Sequence, residues 1–152
     1  MLKTSAFRAS CYNSLNKAIR DATVTHGLKP WVIFVTSNEM GMRSLSLTAD
    51  VIRSAYKIDD KNMLSIECFD GDPFDYPGAT WFSRSTAKTI ASFLQSGFWS
   101  SGRDLVVSCP TGICLSPSIV LGLNRKHGNP LVLHSSKPPK YSNTIVNFLN
   151  SI

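Results

Sequence analysis

Residues 104–123, DLVVSCPTGICLSPSIVLGL, decide how this chain is read. A short apolar run, Leu105 to Val107, ends at Cys109, and a tight loop with Gly112 follows. Ser116 and Pro117 then open an apolar helical pattern. Strand, loop and helix in that order aim backbone N–H groups at one point, where the positive end of the helix dipole also acts. The result is an anion cradle with a thiol on its floor. A thiol so placed tends toward thiolate, because the dipole and the N–H donors favour its charged form.

The same alternation extends outward. Residues 13–24 place Leu15, Ala18, Ile19 and Ala22 on one side of a helical wheel, and His26-Gly27-Leu28-Lys29-Pro30 is a stop and turn. WVIFVT (31–36) is β-branched and aromatic without alternation, as a strand buried on both faces should be. A helix follows over 44–56, then a strand over MLSIEC (63–68) and an acidic turn, FDGDPFD (69–75). Ser83 or Ser85 caps a helix bearing Ala87, Ile90 and Leu94 that stops at Gly97, and the helix after the cradle ends before Gly128. PLVLHSS (130–136) reads equally as a short strand or a loop, and Ser142 caps a last amphipathic helix. Strands alternating with helices predict an α/β fold, a mostly parallel central sheet flanked by helices.

The 152 residues read as one domain, with residues 1–30 as an N-terminal helical extension. Sixteen basic against ten acidic residues give a charge of +6, but the Lys and Arg are scattered, so nucleic acid is not the expected partner. Cysteines at 11, 68, 109 and 114 form no C-x-x-C and have no paired histidines, which argues against zinc. No apolar run has signal-peptide or membrane-spanning length. The expected setting is cytoplasmic and reducing, with no membrane and no cofactor.

The spacing C-x-x-G-x-x-x-S, carried by Cys109, Gly112 and Ser116, resembles the phosphate-binding loop of cysteine-dependent protein phosphatases of the tyrosine and dual-specificity type. The order of segments over roughly 30–152 resembles that family as well. The resemblance implies a tyrosine-phosphatase-like fold, Cys109 as nucleophile and Pro110, Thr111, Gly112, Ile113, Cys114, Leu115 and Ser116 as the anion-binding loop. It implies that the Ser116 hydroxyl donates to the cysteine sulfur; an ordinary helix N-cap is the plain alternative. It also implies a general acid thirty to forty residues before the cysteine, where Asp70, Asp72 and Asp75 lie, with Asp72 the favoured one. Turn chemistry accounts for the same aspartates.

Two positions depart from the family pattern. Ser108 stands where the residue before the cysteine is usually His, and Leu115 stands where an Arg forks onto two phosphoryl oxygens. A charged hydrogen bond is worth about 1.5–3 kcal/mol. Losing the fork therefore removes roughly a thousandfold or more in rate, at about 1.36 kcal/mol per decade. Leucine also brings an apolar group toward the place a dianion would occupy. Arg43, Arg84 and Arg125 are the candidates for a relocated grip. Cys114 is either a resolving thiol for Cys109 or a small packed residue, and His26, His127 and His134 read as surface or turn residues.

These readings converge on a degenerate cysteine-phosphatase-like domain, catalytically impaired, that binds a protein partner or a phosphorylated ligand. An active phosphatase with a relocated Arg is the alternative. A thiol redox or sulfur-transfer role for Cys109 and Cys114 is the third reading.

Overall fold

The two runs richest in apolar residues lie side by side. β4 (Leu105–Cys109) is buried throughout, and β2 (Trp31–Thr36) pairs with it in parallel from Trp31 opposite Leu105 to Phe34 opposite Ser108. The computed structural model describes residues 4–36, 49–68, 81–110 and 113–152. In chain order the remaining elements are β1 (Phe7–Cys11), α1 (Leu15–His26), α2 (Ala49–Tyr56), β3 (Met63–Glu67), α3 (Arg84–Gln95), α4 (Leu115–His127), β5 (Leu131–Leu133) and α5 (Asn143–Asn150). The described strands form one parallel sheet in the order β3-β2-β4-β1-β5.

The predicted α/β architecture is present, and most expected elements lie close to their expected bounds. The segment 130–136 resolves into the short strand β5. The helix expected over 44–56 begins at Ala49 in the described residues, and 44–48 lie outside them. Ser83 caps α3 by accepting from the Thr86 N–H, and Ser142 caps α5 by accepting from the Ile145 N–H. Gly128 ends α4 at φ 78°, a left-handed backbone that glycine adopts without steric cost.

The first thirty residues are more than a helical extension. Phe7–Cys11 form β1, inserted between β4 and β5. The FRASC run hides this because Arg8 interrupts its apolar character. The fold accommodates that charge with Asp104, whose fully buried carboxylate accepts from Arg8 Nε at 2.7 Å, from the Ala6 N–H at 2.8 Å and from His26 Nε2 at 2.6 Å. The His26 side chain, at the end of α1 before the Gly27 turn, is thus turned inward to Asp104 and is not a surface group.

Helices cover both sheet faces. Leu15, Ala18 and Ile19 of α1 and Ile52 of α2 pack on Val32, Phe34 and Val106. α3, α4 and α5 pack on Phe7, Ile33, Val107 and Cys109 of the opposite face. β1 and β2 therefore exit toward α1 and α2, whereas β4, lying between them, exits toward α4. Neighbouring strands that exit to opposite faces open a crevice at their carboxyl ends, where parallel α/β sheets take ligands. The end of β4 is such a point.

Candidate functional site

Cys109 is the last residue of β4 and only 1% exposed. α4 starts at Leu115, six positions after Cys109 in the chain. Two groups of Ser116 meet the sulfur: the N–H donates to Cys109 Sγ at 3.4 Å, and the hydroxyl oxygen lies 3.2 Å from it. The same hydroxyl lies 3.0 Å from the Ser10 carbonyl of β1. A hydroxyl carries one proton. It either donates to Ser10 while accepting from the Cys109 thiol, or turns its proton to the sulfur.

Ser116 is not an N-cap. It is the second residue of α4, behind Cys114 at the cap position, which makes no side-chain capping bond. Pro117 fits the first turn because its missing N–H would have no intrahelical partner there. Ser108 points the other way. It alternates with Cys109 along β4, and its buried hydroxyl has no hydrogen-bond partner among the described residues.

Pro110 is half-buried, and Thr111 and Gly112 lie outside the described residues. The Ile113 carbonyl accepts from the Lys140 N–H at 2.8 Å, and Ser118 Oγ accepts from the Ser142 N–H at 2.8 Å. These bonds stitch the end of the loop to the entry of α5. Cys114 Sγ lies 3.9 Å from Ser118 Oγ, and all four cysteines are thiols. Leu115 is 4% exposed and belongs to the core beneath α3 and α5, so its side chain is packed inward.

The candidate charged partners divide. Asp70, Asp72, Asp75 and Arg43 lie outside the described residues. Arg125 sits in the last turn of α4. Ten residues past Leu115 places it about 15 Å down the helix axis, too far to serve the loop. Arg84 is the exposed first residue of α3. The far end of α3 packs at the amino edge of the sheet, where Trp31 meets Phe93 at 5.2 Å and Phe98 at 5.9 Å between ring centroids. Arg84 is therefore on the carboxyl edge, the same edge as Cys109.

Two residues near the cysteine escape sequence reasoning because β1 does. Cys11 ends β1 in direct register with Cys109. Tyr12 follows it and reaches past the end of β4 to β2, its hydroxyl donating to the Val35 carbonyl and its ring stacking on Phe34 at 4.9 Å. Burial, and then the charge of Cys109, push the Tyr12 phenol well above its ordinary range. It is held as a neutral donor over the end of the sheet.

Family models, curated proteins and solved structures give no match to this chain. Among the described residues no helix is long and apolar enough to cross a membrane, and no group of three or more His, Cys, Asp or Glu is placed to hold a metal ion.

Proposed function

We propose that the chain is a degenerate cysteine-phosphatase-like domain that holds a phosphate-like anion, free or on a phosphorylated ligand, in the loop 110–116 without turning it over efficiently. The observation that carries this reading is the placement of the Ser116 N–H and hydroxyl against the Cys109 sulfur at the mouth of α4, beside a leucine buried where a phosphate-gripping Arg would stand. The positive end of α4 and the switch-point position of β4 favour an anion there. With Leu115 in the core, the loop lacks the bidentate fork that tightens in a phosphoryl-transfer transition state. Binding without efficient turnover follows.

A second reading, an active phosphatase with a relocated Arg, draws on Arg84, whose helix begins at the same edge. Titration with tungstate, followed by calorimetry, separates the two when run beside an aryl phosphate assay. The first reading expects tungstate binding that Ser116→Ala weakens, with hydrolysis no faster than in Cys109→Ser. Hydrolysis that Cys109→Ser abolishes and Arg84→Ala reduces establishes the second. Absence of tungstate binding removes both.

A further inference from the structure

The amino edge of the sheet, opposite the edge at which Cys109 ends β4, carries a cavity of about 330 Å³. Small-molecule sites occupy about 300–1,000 Å³, so the cavity has room for a small metabolite. Its walls are the ends of elements. Asn62 closes the 3₁₀ turn that leads into β3, and Trp31 opens β2. Ser96 and Gly97 follow α3, and Ser101 and Arg103 lie in the turn before β4. Trp31 packs against Phe93 and Phe98, and a Cβ added at Gly97 would lie 3.4 Å from its ring, so packing fixes this wall in place.

Two features of the walls call for a ligand. The first is unmet acceptors. Asn62 is 4% exposed, and its Oδ1 is buried with no hydrogen-bond partner among the described residues. A buried acceptor left unpaired is costly, which favours a bound donor. Ser96 and Ser101 add to this demand, because their hydroxyls already donate to the Phe93 carbonyl at 2.6 Å and the Phe98 carbonyl at 2.7 Å. A hydroxyl carries one proton, so each offers a ligand only lone pairs. The second feature is charge. Lys61 and Arg103 both line the cavity, and neither forms an ion pair among the described residues. Asp60, next to Lys61 in the chain, is instead held by Arg53 at 2.9 Å.

We propose that this cavity is a second ligand site, which takes a sugar phosphate. A phosphomonoester carries about −1.5 to −2 charges at pH 7, a match for two unpaired cations. The Arg103 guanidinium can fork onto two phosphoryl oxygens while Lys61 acts as a point charge. Sugar hydroxyls supply the donors that Asn62, Ser96 and Ser101 lack. Inorganic phosphate meets the cations and leaves the acceptors unmet, and a neutral sugar does the reverse. Trp31 is 5% exposed, so its ring has no free face on which a nucleobase could stack. The proposal does not depend on anion binding at Cys109, because no residue of the loop 110–116 lines the cavity.

The test titrates the ¹⁵N-labelled full chain with ribose 5-phosphate and glucose 6-phosphate, and with ribose and inorganic phosphate alone, following amide resonances by NMR. At least one sugar phosphate is expected to give saturable shifts at the Asn62 side-chain amide and the Gly97 N–H. Loss of one charged hydrogen bond weakens binding about tenfold or more. Lys61→Ala and Arg103→Ala are each expected to do so, with the spectrum showing that the variants stay folded. Ribose and inorganic phosphate are expected to bind about tenfold or more weakly than the sugar phosphate, again for want of one partner set. Ser116→Ala is expected to leave the shifts at Asn62 and Gly97 unchanged. Shifts at Ser116 and Ser118 report the Cys109 loop separately, so the two sites can fail independently. No shift at Asn62 and Gly97 with either sugar phosphate, shifts there that survive both cation variants, or inorganic phosphate binding there as tightly as the sugar phosphate overturns the proposal.

Discussion

Arg8 lies inside a central strand with 8% of its surface exposed, where an unpaired guanidinium is strongly unfavourable. Its Nε donates to Asp104, and its Nη1 lies 3.1 Å from His134 Nε2. Truncating Arg8 leaves the buried Asp104 carboxylate without its charge partner. Removing one member of a buried pair costs about 3–5 kcal/mol, so Arg8→Ala is expected to lower the unfolding free energy in urea by roughly that amount. Lys17 and Asp21 form the comparison: their side chains are 66% and 36% exposed, and such pairs are worth about 0.2–1 kcal/mol. A Lys17→Ala change as large as that of Arg8→Ala would show that exposure does not set the ranking.

At the scale of elements, α4 and α5 make the most extensive contact among the described helices. A Cβ added at Gly122 would lie 2.8 Å from Leu149 Cβ and 3.1 Å from the Val146 carbonyl oxygen, so the glycine lets the two helices approach closely. Overpacking of this kind costs about 1–3 kcal/mol. Gly122→Ala is expected to lower the urea midpoint correspondingly, and an unchanged midpoint would refute so close an approach. Sequence patterning does not reveal this role, because an isolated helical glycine says nothing about its neighbour. It does reveal β2 and β4, whose unbroken apolar runs require burial on both faces, and the ends of α1 and α4. β1 stays hidden because its pattern makes sense only with Asp104 in place, 96 positions away in the chain from Arg8. For the site, the spacing of Cys109 and Ser116 was legible, since seven positions bring a helix start back over a strand end. Cys11 and Tyr12 were not, because their place follows from the hidden strand.

The whole molecule puts its polar networks at separate places, and pH addresses the one in which Arg8 meets His134. An Arg N–H only donates, so His134 Nε2 must accept from Arg8 and carry no proton. Burial first, and then Arg8, lower the affinity of His134 for a proton. Burial and Lys126 do the same for His127, whose ring lies 4.3 Å from Trp99. For a histidine with a depressed folded value, the unfolded chain takes up the proton first as pH falls through about 6.5. Stability is therefore fully present above that value and is lost below it, with a slope capped at about 1.36 kcal/mol per pH unit for each such group. Other groups titrate in the same interval, so the informative quantity is a difference between two proteins. His134→Gln keeps an acceptor for Arg8 and removes the titration. The urea midpoint of this variant is expected to fall less between pH 7.5 and pH 5.5 than that of the wild type. Parallel pH profiles for the two proteins would mean that Arg8 does not hold His134 neutral in the folded state.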